Sequence, residues 1–336
     1  MSRPVLQVTD LSVQLMTRRG DVRAVDGASF DLEAGHALGL VGESGCGKTM
    51  TLRAIMGLLP RGGRVVGGTV LLDGVDLLEL DGREMEHVRG RAVSMIFQEP
   101  MTALNPVMRV GDQIAEGPQA HLGQNAHEAH LTAIELMKLV GIPDAERRAR
   151  SYPHEFSGGM RQRVMIAIAL ACRPKLILCD EPTTALDVTI QDQILKLLVG
   201  LCREFGAALV FVTHDLAVVA QTCQSVAVMY AGQVIETGSV EAVFREPRHP
   251  YTLGLLRSVP DFEKVIDSLE PITGSPPDLI APPQGCRFHP RCPFAMNDCR
   301  SGSFPLIAIE AGRTTACIHS DRCRESVEAH PVIARA

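Results

Sequence analysis

The chain has 336 residues, which predicts about two domains, and 46% of the residues are hydrophobic against 21% charged. This composition excludes a disordered chain, and the formal charge of −6 argues against a general nucleic-acid-binding surface. No apolar run is long enough to span a bilayer and the N-terminus shows no signal-peptide segment, so we expect a cytoplasmic protein without membrane spans.

The first third of the chain is predicted to be rich in β-structure. A turn signal at Asp26-Gly27 interrupts one strand, and a helix over 49–59 ends at Pro60. The predicted strands share alternating or uniformly apolar residues: 5–15, 24–32, 37–41, 70–72 and 93–97.

The middle of the chain changes to a helical pattern. A helical insertion is predicted over about residues 101–165, with helical spacing at 133–140. Beyond it, helices alternate with buried strands: helices 160–171 and 190–205, strands 176–179, 207–212, 225–230 and 234–236. This alternation predicts an α/β fold whose mostly parallel sheet is covered on both faces.

A glycine-rich loop at residues 42–49 (GESGCGKT) matches the pattern G-x-x-x-x-G-K-[ST] between a predicted strand and a predicted helix. Its backbone N–H groups and the helix N-terminus favour a phosphate anion. Lys48 is expected to reach the β- and γ-phosphates, and the Thr49 hydroxyl to bind Mg²⁺. The predicted nucleotide loop consists of Gly42, Glu43, Ser44, Gly45, Cys46, Gly47, Lys48 and Thr49.

Two acids, Asp180 and Glu181, follow the buried strand at 176–179, at the strand end where open parallel sheets bind ligands. Asp180 is expected to hold Mg²⁺, directly or through water, and Glu181 to polarise the attacking water as general base. Two solvated acids capping a strand are the alternative, which the phosphate loop upstream disfavours.

Residues 156–162 (FSGGMRQ) place Ser-Gly-Gly before a helix, either as a second anion site or as an ordinary helix start. The phosphate loop, this signature, the two acids and a later lone histidine, His214, occur in an order that resembles the ATP-binding-cassette (ABC) ATPases. The resemblance covers residues 5–245. It makes His214 the switch histidine, Gln98 the Q-loop glutamine and residues 185–187, which end in Asp187, the D-loop.

The resemblance implies an α/β ABC-type P-loop nucleotide-binding domain over residues 1–250, with a RecA-like core, an antiparallel β subdomain and a helical subdomain. Residues 251–336 would form a small extension that contains a proline-rich linker. In this family two such domains hold two ATP molecules between them, so hydrolysis drives an opening motion that does transport work.

The same resemblance implies the role of each site residue. Ser157, Gly158 and Gly159 would contact ATP bound to the partner. His214 would contact the γ-phosphate, and Gln98 would couple Mg²⁺ to membrane subunits through the helical insertion.

Two strings, residues 98–106 (QEPMTALNP) and 156–164 (FSGGMRQRV), resemble the oligopeptide and dipeptide importer branch. Met160 stands where the common signature has Gln. Val22 takes the place of the aromatic residue on which the wider family stacks adenine, so base selectivity is expected to be loose.

This branch implies an ATPase subunit for import of di- or oligopeptides on the cytoplasmic side of the inner membrane. Its partners would be a second, different ATPase subunit, two permease subunits and an extracytoplasmic binding protein, with no nucleic acid. Nickel, glutathione, opines and sugars are alternative cargoes. ABC ATPases that act on DNA or the ribosome are disfavoured, because the interval from Thr49 to Asp180 is too short for coiled coils and the chain carries one cassette.

Of the ten cysteines, Cys46 lies in the glycine-rich loop and the other nine divide into two groups. Cys172, Cys179, Cys202 and Cys223 lie singly in apolar segments and are expected to be small buried hydrophobes, whereas five others follow the proline-rich residues 271–283. Cytosolic disulfides are disfavoured, and the spacing of Cys286, Cys292, Cys299 and Cys317 is wider than in common zinc pairs.

Dipeptide-type ATPases have a tail similar to residues 285–293 (GCRFHPRCP), with four cysteines that ligate a [4Fe–4S] cluster. The resemblance implies this cluster on the four cysteines, within a segment at about 284–323, while zinc and metal-free thiols stay open. Cys323 is expected to be a spare thiol, and His289 and His319 surface histidines. Residues 249–252 (HPYT) also match the branch and are expected to position the tail.

Overall fold

The structure is a computed structural model that describes residues 4–99, 103–183, 187–258 and 272–329. The strands in chain order are β1 (Leu6–Thr17), β2 (Gly20–Leu32), β3 (Ala37–Val41), β4 (Gly63–Leu72), β5 (Val75–Asp76), β6 (Val93–Ile96), β7 (Leu176–Asp180), β8 (Ala208–Thr213), β9 (Ser225–Tyr230), β10 (Gln233–Ser239), β11 (Ile307–Glu310) and β12 (Arg313–Thr315). The helices are α1 (Lys48–Ile55), α2 (Gly82–Val88), α3 (Val110–Leu122), α4 (Ala126–Leu139), α5 (Ala145–Arg148), α6 (Gly158–Leu170), α7 (Val188–Phe205), α8 (Leu216–Thr222), α9 (Val240–Arg245), α10 (Pro250–Arg257) and α11 (Ser320–Ala329).

The chain forms two compact units. One unit comprises Met1–Leu6, Leu32–Ala37 and Leu72–Val212, and the other comprises Gln7–Asp31, Leu38–Leu71 and Thr213–Ala336. We call them unit 1 and unit 2. Within the described residues, no helix has both the length and the apolar composition needed to cross a membrane.

Unit 1 is built on the parallel strands β6, β7 and β8, with β7 in the middle. Every residue of β7 and β8 is buried, which explains why each strand is apolar up to its last residue, because parallel strands are covered on both faces. Helices α3, α4 and α6 pack on one another, and α6 also packs on β6. The C-terminal end of β7 carries the two acids into a loop.

Unit 2 contains two sheet regions. Strands β2, β1 and β4 lie side by side in that order. Strand β3 pairs in parallel with β9, and β10, β12 and β11 continue from β9 in antiparallel pairing. The C-terminal hairpin of β11 and β12 therefore extends the sheet that contains β3, the strand leading into the phosphate loop.

The structure corrects three predicted element boundaries. Strand β2 is not interrupted at Asp26-Gly27, because the N–H groups of these residues donate to the carbonyl oxygen of Gly232 (2.8 Å) and to Ser12 Oγ (3.0 Å). Strand β4 begins at Gly63 rather than at residue 70. Helix α1 ends at Ile55, before Pro60, in a Schellman motif at Gly57.

Candidate functional site

The phosphate loop in unit 2 connects β3 to α1, as the sequence predicts. Gly47, at φ +112°, occupies a conformation that side chains rarely adopt, and a Cβ atom there would lie 2.4 Å from the carbonyl oxygen of Ala24. Lys48 is 6% exposed, and its Nζ donates to the carbonyl oxygens of Gly42 (2.7 Å) and Glu43 (3.0 Å). The loop is thus wrapped around the lysine ammonium, at the positive end of α1.

The HPYT segment reaches this loop, a contact that the sequence did not indicate. The buried Glu236 carboxylate accepts from the N–H groups of Arg248 (2.8 Å) and His249 (2.9 Å), which fixes the start of α10. Burial lowers the pKa of His249 to about 3, so its neutral ring accepts the N–H of Tyr251 at Nδ1. Tyr251 Oη in turn accepts the N–H of Glu43 at 2.7 Å.

Glu181 and Gln98, the predicted Q-loop glutamine, are in contact in unit 1. Asp180 is the last residue of β7 and is 5% exposed. Glu181 has a left-handed backbone (φ +46°), uncommon for a residue with a side chain, and its N–H donates to the carbonyl oxygen of Val212 at 3.0 Å. The side-chain amide of Gln98 donates to Glu181 Oε2 at 3.3 Å. The predicted general base is therefore hydrogen-bonded to the predicted coupling residue.

The signature and the D-loop aspartate lie at two helix N-termini in unit 1. Ser157 caps α6 by accepting the N–H of Met160 (3.4 Å), and Asp187 caps α7 by accepting the N–H of Ile190 (3.0 Å). A Cβ atom at Gly159 would lie 2.9 Å from Cγ2 of Ile190, so the two helix starts are in contact. Ser157 and Gly158 are exposed, as a surface for a partner requires. The other predicted D-loop residues, 185 and 186, lie outside the described residues.

His214 and Val22 both belong to unit 2. His214 follows β8 directly and is exposed, one residue before Asp215, which caps α8 through the N–H groups of Ala217 and Val218. Val22 is half-buried on β2. The cap fixes the chain direction immediately after the histidine.

The four tail cysteines are brought together in unit 2. The N–H of Cys286 donates to the carbonyl oxygen of Cys299 at 2.9 Å. Burial first, and the neighbouring thiols second, raise the pKa of Cys292 to about 11 and that of Cys317 to about 12. The thiols of Cys286, Cys292 and Cys299 all contribute to the raised pKa of Cys317, so the four cysteines are neighbours in unit 2.

One of these cysteines also belongs to a set of three potential metal ligands. The ligand atoms of Asp298, Cys299 and His319 lie within 4.8 Å of one another, and His319 Nε2 is 2.9 Å from Asp298 Oδ1. Oxygen, nitrogen and sulfur together suit zinc, whereas four thiols suit zinc or an iron–sulfur cluster.

The cysteines outside the phosphate loop and the four-cysteine tail set are all buried. Cys323 is fully buried with Leu253 and Val327. The prediction of small buried hydrophobes is confirmed for Cys172, Cys179, Cys202 and Cys223.

Two stretches of the chain match known protein families. Residues 25–184 match the family model described as ABC transporter, and residues 235–299 match the model described as oligopeptide/dipeptide transporter, C-terminal region. The solved structure of the ATP-binding cassette MJ0796 bound to ADP and Pi is similar to this chain, with a TM-score of 0.63 and 26% identity. The similarity covers 70% of this chain and 98% of that one. The predicted ABC-type P-loop fold is confirmed.

Two curated relatives match nearly the whole chain. The oligopeptide transport ATP-binding protein OppD of Salmonella typhimurium is 50% identical over 313 residues, 93% of each chain. The dipeptide transport ATP-binding protein DppD of Bacillus subtilis is 50% identical over 296 residues, 88% of each chain. At this identity and coverage, the chain belongs to the ATP-binding subunits of the oligopeptide/dipeptide family of ABC transporters.

Proposed function

We propose that this chain is the ATP-hydrolysing subunit that energises import of di- or oligopeptides across the cytoplasmic membrane. The observation that carries the proposal is 50% identity to OppD over 93% of both chains, together with the match of residues 235–299 to the C-terminal region of peptide transporters. Nickel, glutathione, an opine or a sugar is the alternative cargo for the same ATPase role. The match of the C-terminal region favours peptides over these other cargoes. It also favours a transport role over the roles of ABC ATPases that act on DNA or the ribosome.

The residue roles follow from the motifs. Lys48 binds the β- and γ-phosphates. Thr49, Asp180 and Gln98 would hold Mg²⁺, which would neutralise phosphate charge. Glu181 orients the attacking water and takes its proton. The remaining roles are ATP contacts: His214 at the γ-phosphate, Asp187 in the D-loop, and Ser157, Gly158 and Gly159 at ATP bound to the partner.

The partners of this subunit are two transmembrane permease subunits, an extracytoplasmic substrate-binding protein and a second ABC ATPase subunit. The exposed signature at Ser157 and Gly158 supports an assembly in which another ATPase supplies the bound nucleotide. We place the chain on the cytoplasmic side of the membrane, attached through the permeases. A heterodimer of two different ATPases is the proposed arrangement.

Ser157→Ala tests whether the signature acts on a partner. We expect ATP affinity of the isolated chain to stay unchanged, because the serine contacts no nucleotide in its own subunit. ATP hydrolysis by the complete transporter in liposomes, with binding protein and peptide, should fall strongly, and peptide uptake should fall with it. Hydrolysis by the isolated wild-type chain should be low.

Ser239→Ala is the matched control. Ser239 also caps a helix, here α9, by accepting the N–H of Ala242, so both variants lose a similar cap of about 1 kcal/mol. The control should keep full transporter activity. Full activity of a strictly monomeric wild-type chain, or equal losses in both variants, would contradict the cross-subunit role. Uptake of another cargo with no response to peptides would overturn the peptide assignment.

We propose further that Cys286, Cys292, Cys299 and Cys317 hold a [4Fe–4S] cluster with a structural role. The hydrogen bond from the Cys286 N–H to the carbonyl oxygen of Cys299 (2.9 Å) holds two of these cysteines together, and the number of thiols fits such a cluster. When bound, the cluster supplies folding free energy to a small segment with little core of its own. All hydrolysis residues precede the segment in the chain.

Anaerobically purified protein should therefore be brown, absorb broadly near about 400 nm and contain about four irons per chain. Cys292→Ser should bleach the protein and loosen the tail while ATP still binds. Cys323→Ala, a change at the buried thiol of the same segment, should keep the iron. Colourless protein with stoichiometric zinc would reject the cluster, and metal-free protein with four titratable thiols would reject any metal.

A further inference from the structure

Glu43, the second residue of the phosphate loop, is held at two points by residues far along the chain. Its backbone N–H donates to Tyr251 Oη at 2.7 Å, across 208 positions of sequence. Its carboxylate accepts two hydrogen bonds from the guanidinium of Arg291, at 2.7 and 2.9 Å, across 248 positions. A bidentate pair of this kind fixes orientation as well as distance.

Contacts other than the one to Glu43 also hold the Arg291 side chain in place. Its side chain is 5% exposed, and its Nε donates to the carbonyl oxygen of Thr273 at 3.0 Å. The guanidinium carbon lies 5.8 Å from the ring centre of Tyr230 and 6.0 Å from that of Phe288. Because these contacts already orient the guanidinium group, little side-chain entropy is lost when it binds the Glu43 carboxylate.

Three buried aromatic rings support this arrangement. Tyr230, Tyr251 and Phe288 are each at most 2% exposed, and their ring centres are 4.5 to 5.4 Å apart. The same cluster therefore carries Tyr251, which binds the backbone of Glu43, and supports Arg291, which binds its side chain. Close-packed rings of this kind resist displacement.

The position of Glu43 bears directly on the phosphate-binding lysine. Lys48 Nζ donates to the carbonyl oxygens of Gly42 and Glu43, so the peptide groups on either side of Glu43 Cα help to set where the ammonium lies. We propose that Arg291 is a positioning residue for ATP binding, which preorganises the phosphate loop by holding Glu43 from the C-terminal extension. The proposal rests on the proposed ATP site but not on what the cysteines bind.

A purely structural role makes a different prediction. If Arg291 only anchored the extension, its loss would lower thermal stability without changing how ATP binds to the protein that remains folded. If it preorganises the loop, ATP affinity falls, while turnover at saturating ATP stays the same because the hydrolysis residues are untouched.

The test measures ATP affinity of the full-length chain and, in the reconstituted transporter, KM and kcat for ATP. Arg291→Met should weaken ATP binding and raise KM at least about fivefold, with kcat unchanged. Arg291→Lys keeps the positive charge but cannot form the bidentate pair, so its ATP affinity should lie between those of Arg291→Met and the wild type. Glu43→Gln should weaken binding, and adding Arg291→Met to it should cause no comparable further loss.

Arg19→Met is the matched control. Arg19 forms an ion pair with Asp278 that also links the C-terminal extension to an early part of the chain, the turn between β1 and β2, but its side chain is 80% exposed and its partner is not Glu43. It should leave ATP affinity and KM unchanged. Unchanged affinity in folded Arg291→Met, a loss confined to kcat, or fully additive effects of the two changes would each overturn the proposal. Failure of the wild-type chain to bind ATP would instead reject the proposed function.

Discussion

Glu181→Gln is expected to abolish ATP turnover by the assembled transporter and to leave ATP binding intact. The amide has nearly the same shape as the carboxylate and can still hydrogen-bond to Gln98, but it cannot accept a proton from the attacking water. Removal of a general base costs about 100-fold to 10,000-fold, so steady-state phosphate release should fall to background. Phosphate release and equilibrium ATP binding are measured on the same preparation.

Glu204→Gln makes the same chemical change at an exposed position near the end of α7 and should leave both quantities unchanged. Normal steady-state hydrolysis by the Glu181→Gln transporter would remove Glu181 from the role of general base. Gln98 would then lose its proposed link to the chemistry as well.

Lys48→Ala is expected to weaken ATP binding itself. The change removes the ammonium that the loop holds at Gly42 and Glu43, and with it charge-assisted hydrogen bonds to the phosphates. Hydrogen bonds to charged groups contribute about 1.5 to 3 kcal/mol, so the dissociation constant should rise by about tenfold to a hundredfold. Titration of the isolated chain with a fluorescent ATP analogue gives this constant.

Lys196→Ala removes an exposed ammonium that pairs with Asp192 on α7 and should leave ATP affinity unchanged. An unchanged dissociation constant in Lys48→Ala would refute the role of this lysine. The two variants at Lys48 and Glu181 separate binding from chemistry, since the first should fail to load ATP and the second should load it without turnover.

Elements whose signals are local were predictable from the amino-acid sequence. The spacing of residues 42–49 predicts a phosphate loop between a strand and a helix, and the structure has β3 and α1 on either side of it. The apolar run before Asp180 predicts a buried strand with acids at its end, because only a covered strand can be apolar at every position. The order and spacing of the motifs were sufficient to predict the family.

Local signals were weakest where glycine-rich or polar residues form regular structure. Strand β4 has three glycines in its sequence and β2 contains Asp26-Gly27, so pattern and propensity predicted a shorter strand and an interruption. Hydrogen bonds that the N–H groups of Asp26 and Gly27 donate to Gly232 and Ser12 hold β2 continuous. Tertiary contacts thus override propensity, because each backbone group that gains a partner no longer needs a turn or water.

The contacts of the C-terminal extension could not be predicted from the amino-acid sequence. Arg291 and Tyr251 stand more than 200 positions from Glu43, and no periodicity or spacing links them to the phosphate loop. The sequence predicted that the HPYT segment positions the tail, but not that it binds the nucleotide loop. Contacts of this kind come from the sheet that β3, β9, β10 and β12 share, since pairing of strands brings residues together irrespective of their separation in the chain.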